Sequence, residues 1–137
     1  MKKSLIFLTI FITWFLTPSI FAGTGMQDLG QPGTKTVIGT DLTFTYSFNV
    51  HPALGMVVLK VKVTDRDGNP VEGLTIKGIS DMPEMHDSNS GKVKFLQNKK
   101  KDFLLPINVT MPGKWQVTIT VEKGKKPLLN GVINFNV

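Results

Sequence analysis

From Leu42 onward, apolar side chains return at every second position, the period that sets one face of a β-strand against a core and the other toward water. Leu42, Phe44, Tyr46, Phe48 and Val50 alternate with Thr43, Thr45, Ser47 and Asn49. Val57, Leu59, Val61 and Val63 alternate with Lys60, Lys62 and Thr64, and Leu74 and Ile76 with Thr75 and Lys77. Val93 and Phe95 suggest a short strand. Phe103, Leu105, Ile107 and Val109 face away from Pro106, Asn108 and Thr110. Trp115, Val117, Ile119 and Val121 form one further stripe, and Ile133, Phe135 and Val137 the last. Asp65 to Pro70 is a cluster of turn residues. No amphipathic helix and no internal repeat interrupts this order. Seven antiparallel strands with regularly spaced turns predict an all-β, immunoglobulin-like β-sandwich, its apolar faces packed between two sheets. Pro106 has no ladder donor, so its strand is expected at a sheet edge or with that position turned outward.

Residues 1–22 read as an export signal. Lys2 and Lys3 form a positive start, Leu5 to Phe15 are almost all apolar, and Pro18 breaks the run before Ile20-Phe21-Ala22. The small Ala22 suits cleavage after it, while Ile20 is larger than the residue usual two positions before. Retention as an N-terminal anchor is the alternative. The apolar run is short for a membrane span, and no cysteine follows it to carry a lipid. The expected product is periplasmic or secreted, with no stable membrane insertion after cleavage. Residues 23–35, rich in glycine, read as a flexible leader, and 36–137 as one domain. Losing two lysines and no acids takes the 16 basic groups to 14 against 10 acidic, a net charge of +4. Much of that charge lies in Lys99-Lys100-Lys101 and in Lys123 to Lys126, with little aromatic interleaving, so no nucleic-acid partner is expected. With no cysteine in the chain, stability in an oxidising compartment must come from the sheet core rather than disulfides.

Counting strands places the loops. In an antiparallel sandwich, successive loops lie at opposite ends. The loop 51–56, the loop 81–91 and Met111-Pro112-Gly113 then share one end, and the turn 65–70 and both lysine runs share the other. His51, Met56, Met82, Met85, His86 and Met111 collect at the first end. Thioether and imidazole are ligands that suit a soft ion such as Cu(I). Thioethers do not titrate, and they persist where thiols are lost to disulfides. The same residues also have a plain reading. Met111 shares the parity of Phe103 to Val109 and can end the core stripe. Met82 and Met85 can plug the open end of the sandwich, since Met fills irregular gaps. His51 and His86 can be ordinary loop residues.

Other motifs carry less. Asp65, Asp67 and Asn69 resemble the start of a calcium loop, but the downstream glutamate pattern is missing. Asn108-Val109-Thr110 fits a glycosylation sequon inside a strand. No Ser/His/Asp set or carboxylate pair stands out, and thiol catalysis has no thiol, so no enzymatic activity is expected.

Three stretches together resemble the YtkA-like, FixH-related domain family: Val61 to Val71 with its Asp-Arg-Asp-Gly-Asn-Pro turn, Asp81-Met82-Pro83-Glu84-Met85-His86, and Met111-Pro112-Gly113-Lys114-Trp115-Gln116-Val117. Order and spacing follow the family pattern across nearly the whole domain. The resemblance implies a small exported or membrane-tethered immunoglobulin-like domain linked to copper handling, heavy-metal efflux or oxidase assembly. It carries over Met82, Met85, His86 and Met111 as possible copper ligands. Family members often place a histidine two or more residues past the second methionine. Here His86 follows Met85 directly, and Asp87-Ser88-Asn89-Ser90 supplies no other. Two expectations follow. In the first, the protein binds or transfers copper, favoured as Cu(I), through Met82, Met85 and His86, with Met111 or His51 completing the site and a metal-handling partner implied. In the second, the same loops form a non-metal module that docks on a membrane or periplasmic complex.

Overall fold

The computed structural model describes residues 25–85 and 91–137. The signal expected over 1–22, and His86, lie outside the described residues. Among the described residues ten strands run in chain order: β1 (Gln27–Asp28), β2 (Thr36–Ile38), β3 (Leu42–Phe48), β4 (Gly55–Thr64), β5 (Leu74–Asp81), β6 (Val93–Lys94), β7 (Leu96–Gln97), β8 (Phe103–Val109), β9 (Lys114–Lys123) and β10 (Lys126–Asn136). One sheet has the order β1-β10-β9-β5-β6 and the other β2-β3-β4-β8-β7. The all-β sandwich is the expected one. Among the described residues, no helix is long and apolar enough to cross a membrane.

The alternation decides which faces meet. Phe44, Tyr46, Leu59, Val61, Leu105 and Ile107 from one sheet lie buried against Ile76, Val117, Ile119 and Ile133 from the other. Each such side chain contributes about 1.5–3 kcal/mol by leaving water. Pro106 lies opposite Val58. Val58 turns its own backbone groups toward Asn49, with Asn49 N–H to Val58 O at 3.0 Å and Val58 N–H to Asn49 Oδ1 at 2.8 Å. The Val58–Pro106 pair therefore exchanges no ladder bond. The proline ring nitrogen faces the other side, where β7 pairs only with Phe103 and Leu104.

Three features differ from the expectation. The segment 93–95 is not one strand but a switch: β6 pairs with β5, β7 pairs with β8, and the buried Phe95 crosses between the sheets. β10 begins at Lys126, earlier than the stripe at Ile133 suggested. Residues 27–35 are not a flexible leader but part of the domain. β1 pairs parallel with β10, Leu29 N–H donates to Val132 O at 3.0 Å, and Leu29 is 1% exposed. The chain then crosses to the other sheet. Gly33 N–H donates to Tyr46 O at 2.8 Å, and the Tyr46 hydroxyl donates to Gly30 O. Both edges of the sandwich are thus bridged by a segment that leaves one sheet and joins the other.

The physical reason for both docked segments is a strand glycine. A Cβ at Gly131 in β10 would lie 2.6–2.8 Å from Leu29 side-chain atoms, and one at Gly78 in β5 would lie 2.7 Å from Phe95 Cε1. Glycine leaves the sheet bare there, and one apolar side chain of each bridging segment fills the space.

Candidate metal centre at the methionine end

The register brings the predicted loops to one end. Asp81 pairs with Gln116, Trp115 with Phe135, and Gly55 with Val109. Phe48 meets Phe135 across the sandwich with centroids 5.1 Å apart. The last residue of β5, the start of β9, the end of β8 and the β3–β4 loop are therefore neighbours at that end. Met82, Met85, Met111 and His51 all belong to it, as does the exposed Met56 at the start of β4.

Within this end the residues differ. Met82 directly follows β5 and is 7% exposed. Pro83 and Glu84 form a tight turn after it, closed by Met85 N–H donating to Met82 O at 2.9 Å. Pro83 suits the second position of such a turn because its φ is already set. The turn leads to Met85, which is 46% exposed. Glu84 and Lys114 meet at 4.0 Å with both side chains largely in water, a contact of little energetic weight. Met111 is partly buried against the core. His51 is exposed in the β3–β4 loop.

The Met111-Pro112-Gly113-Lys114-Trp115 stretch is explained by what it touches. Trp115 Nε1–H donates to Met111 O at 3.0 Å, which holds the loop over its own strand. Gly113 and Val137 exchange two backbone hydrogen bonds of 2.9 and 3.0 Å, tying that loop to the end of β10. Gly113 has φ +134°, and a Cβ there would stand 2.9 Å from Met82 Cε. The glycine thus makes room for the Met82 methyl group and brings the 82–85 turn and the 111–113 loop together. Periodicity shows Trp115 only as a core residue. Its role in positioning Met111 depends on a hydrogen bond that spacing cannot reveal.

Beneath these loops lies an aromatic floor. Trp115 stacks with Phe135 at 6.4 Å and 17°, Phe135 meets Phe48, and Phe48 meets Tyr46 edge-on at 6.0 Å. Aromatic rings are favourable surroundings for thioether sulfur. The lysine runs lie at the far end, where acids also gather: Arg66 pairs with Asp41, and Lys101 with Glu72 at 3.6 Å. Among the described residues no three His, Cys, Asp or Glu side chains cluster. The register brings the thioethers of Met82, Met85 and Met111 and the exposed His51 to this end, ligand types that suit a soft ion. The calcium-like turn is closed on itself, as Asp65 Oδ1 accepts from Asp67 N–H and Asn69 N–H, both at 2.9 Å.

A family model described as YtkA-like matches residues 36–120, a stretch that holds His51, Met82, Met85, His86 and Met111. No curated protein matches the chain.

Proposed function

This chain belongs to the YtkA-like family, and from that premise and the chemistry of its methionine end we propose that it is an exported, non-enzymatic protein that binds or transfers copper, favoured as Cu(I). Copper is its cargo. Met82, Met85 and His86 are the primary ligands, and Met111 or His51 completes the set. The observation that carries this reading is the hydrogen-bonded turn joining Met82 to Met85, with Met82 seated on Gly113 two residues from Met111. Two thioethers on one turn, beside a third on the adjoining loop, are an economical arrangement for a soft ion. Burial gives Met82 a packing role in any case. Met85, at 46% exposure, is less constrained by packing, and so it is the more informative position to change.

The test is anaerobic titration with Cu(I) against a competing chelator, comparing the native protein with Met82→Leu/Met85→Leu. Leucine keeps the volume and removes the sulfur. One-to-one binding that is lost in the double variant, with thermal stability kept, is the expected result. Equal binding by both proteins, or none by either, overturns the reading. A specific observation favours a second one: Val50, Leu54, Met56 and Met85 are all exposed at this same end, an apolar rim suited to docking on a membrane or periplasmic complex. Under that reading Met85→Leu is silent and Met85→Lys abolishes docking.

A further inference from the structure

Independently of copper, the outer face of β3 and β4 holds a concavity. Thr45 lies opposite Lys62 and Ser47 opposite Lys60. Their neighbours Phe44, Tyr46, Leu59 and Val61 point into the core, so these four side chains share the outer face. Cross-strand partners stand about 5 Å apart, and alternate residues of one strand about 7 Å apart. The four strand positions therefore mark the corners of a small rectangle, with the two hydroxyl residues along one side and the two lysines along the other.

The bridging segment makes a wall for it. Gly33, held to Tyr46 O, lines the same hollow, which has a volume of about 280 Å³. No atom lies within 4 Å of where a Cβ of Gly33 would stand, and its φ of +86° disfavours any other residue, so the wall is bare backbone. Among the described residues Lys60 makes no ion pair, and Lys62 reaches Asp102 only at 3.9 Å. The volume lies at the lower bound of small-molecule sites, enough for a compact group.

We propose that this hollow binds a phosphate-type oxyanion, with Lys60 and Lys62 supplying charge and Thr45 and Ser47 supplying hydroxyl donors. Oxyanions are the partners that gain most from ammonium and hydroxyl donors placed together, because bonds to charged groups are roughly twice as strong as neutral ones. The source is either a free phosphate or a lipid headgroup, and the experiment separates them.

Inorganic phosphate is titrated into the isotopically labelled protein, purified after expression of the full chain, at ionic strength held constant with chloride. Saturable shifts at the amides of residues 45–47 and 60–62, weakened at least about tenfold in Lys60→Gln/Lys62→Gln, are expected. Lys60→Arg/Lys62→Arg keeps the binding, and Thr45→Val lowers it with the fold unchanged. Co-sedimentation with phosphatidylglycerol vesicles, but not phosphatidylcholine vesicles, lost in the same glutamine variant, assigns the headgroup. Its absence alongside saturable phosphate binding assigns the free ion. Shifts that do not saturate, or that persist undiminished in the glutamine variant, overturn the proposal. Met82→Leu/Met85→Leu leaves this binding intact, so its failure is distinct from failure of the copper reading.

Discussion

Gly113 shows how much one residue at the methionine end constrains its neighbours. At its φ of +134°, and with Met82 Cε 2.9 Å from the Cβ position, both backbone and packing call for glycine. Gly113→Ala is expected to lower stability by about 1–3 kcal/mol, read by chemical denaturation, and to shift the fluorescence of Trp115, which the 111–113 loop covers. Combining it with Met82→Ala relieves the clash but not the φ strain, so recovery is partial. Tyr46, the chain's one tyrosine, is also set by its surroundings. Burial first, and the nearby Asp28 carboxylate second, push its hydroxyl from the ordinary 10 up to about 12. The unfolded chain then loses this proton before the folded one does. Stability tied to Tyr46 is complete below pH 10 and declines as pH rises from 10 to 12. Denaturation midpoints across that window check this, and Tyr46→Phe flattens the decline. The positions of Met82, Met85 and Met111 at one end were legible from strand parity alone. The contrast between a buried Met82 and an exposed Met85 was not, because both sit in a loop where no period reports burial.

Two strands were read short for one common cause. In β5 the inward positions after Ile76 are Gly78 and Ser80, and in β10 the inward position before Ile133 is Gly131. The apolar stripe stops at each glycine although the strand continues. Each glycine serves a side chain from a distant segment, Phe95 over Gly78 and Leu29 over Gly131. Gly131→Ala and Gly78→Ala are therefore expected to destabilise by about 1–3 kcal/mol each through overpacking. Leu29→Ala alone costs about 2–5 kcal/mol through its cavity. The pair Gly131→Ala/Leu29→Ala should lose less than the sum of its single changes, a coupling that a double-mutant cycle by urea denaturation measures. Additive losses would show that the two residues do not share the space.

For the molecule as a whole, the bridging segments turn two open sheets into a nearly closed body. The stretch from Gln27 to Ile38 belongs to both sheets, through Leu29 on one side and Tyr46 with Gly33 on the other. A protein that starts at residue 36 is therefore expected to be markedly less stable than one that starts at 23, with a lower thermal midpoint. Equal midpoints would mean that residues 23–35 contribute nothing. The export reading is checked separately, by intact mass: protein from the expressing cell's exported fraction should lack residues 1–22.

The alternation of apolar and polar residues by itself determined the all-β class, the long strands β3, β4, β8 and β9, and which faces form the core, since each of those is a local matter of period and turn chemistry. The three quoted stretches also pointed to the YtkA-like family. Only the tertiary structure decided where the sandwich ends. Docking of Leu29 and Phe95 onto strand glycines, the seating of Met82 on Gly113 and the gathering of Lys60, Lys62, Thr45 and Ser47 around Gly33 all join residues distant in the chain. Their energies depend on which surfaces meet after folding, and a one-dimensional period carries no record of that.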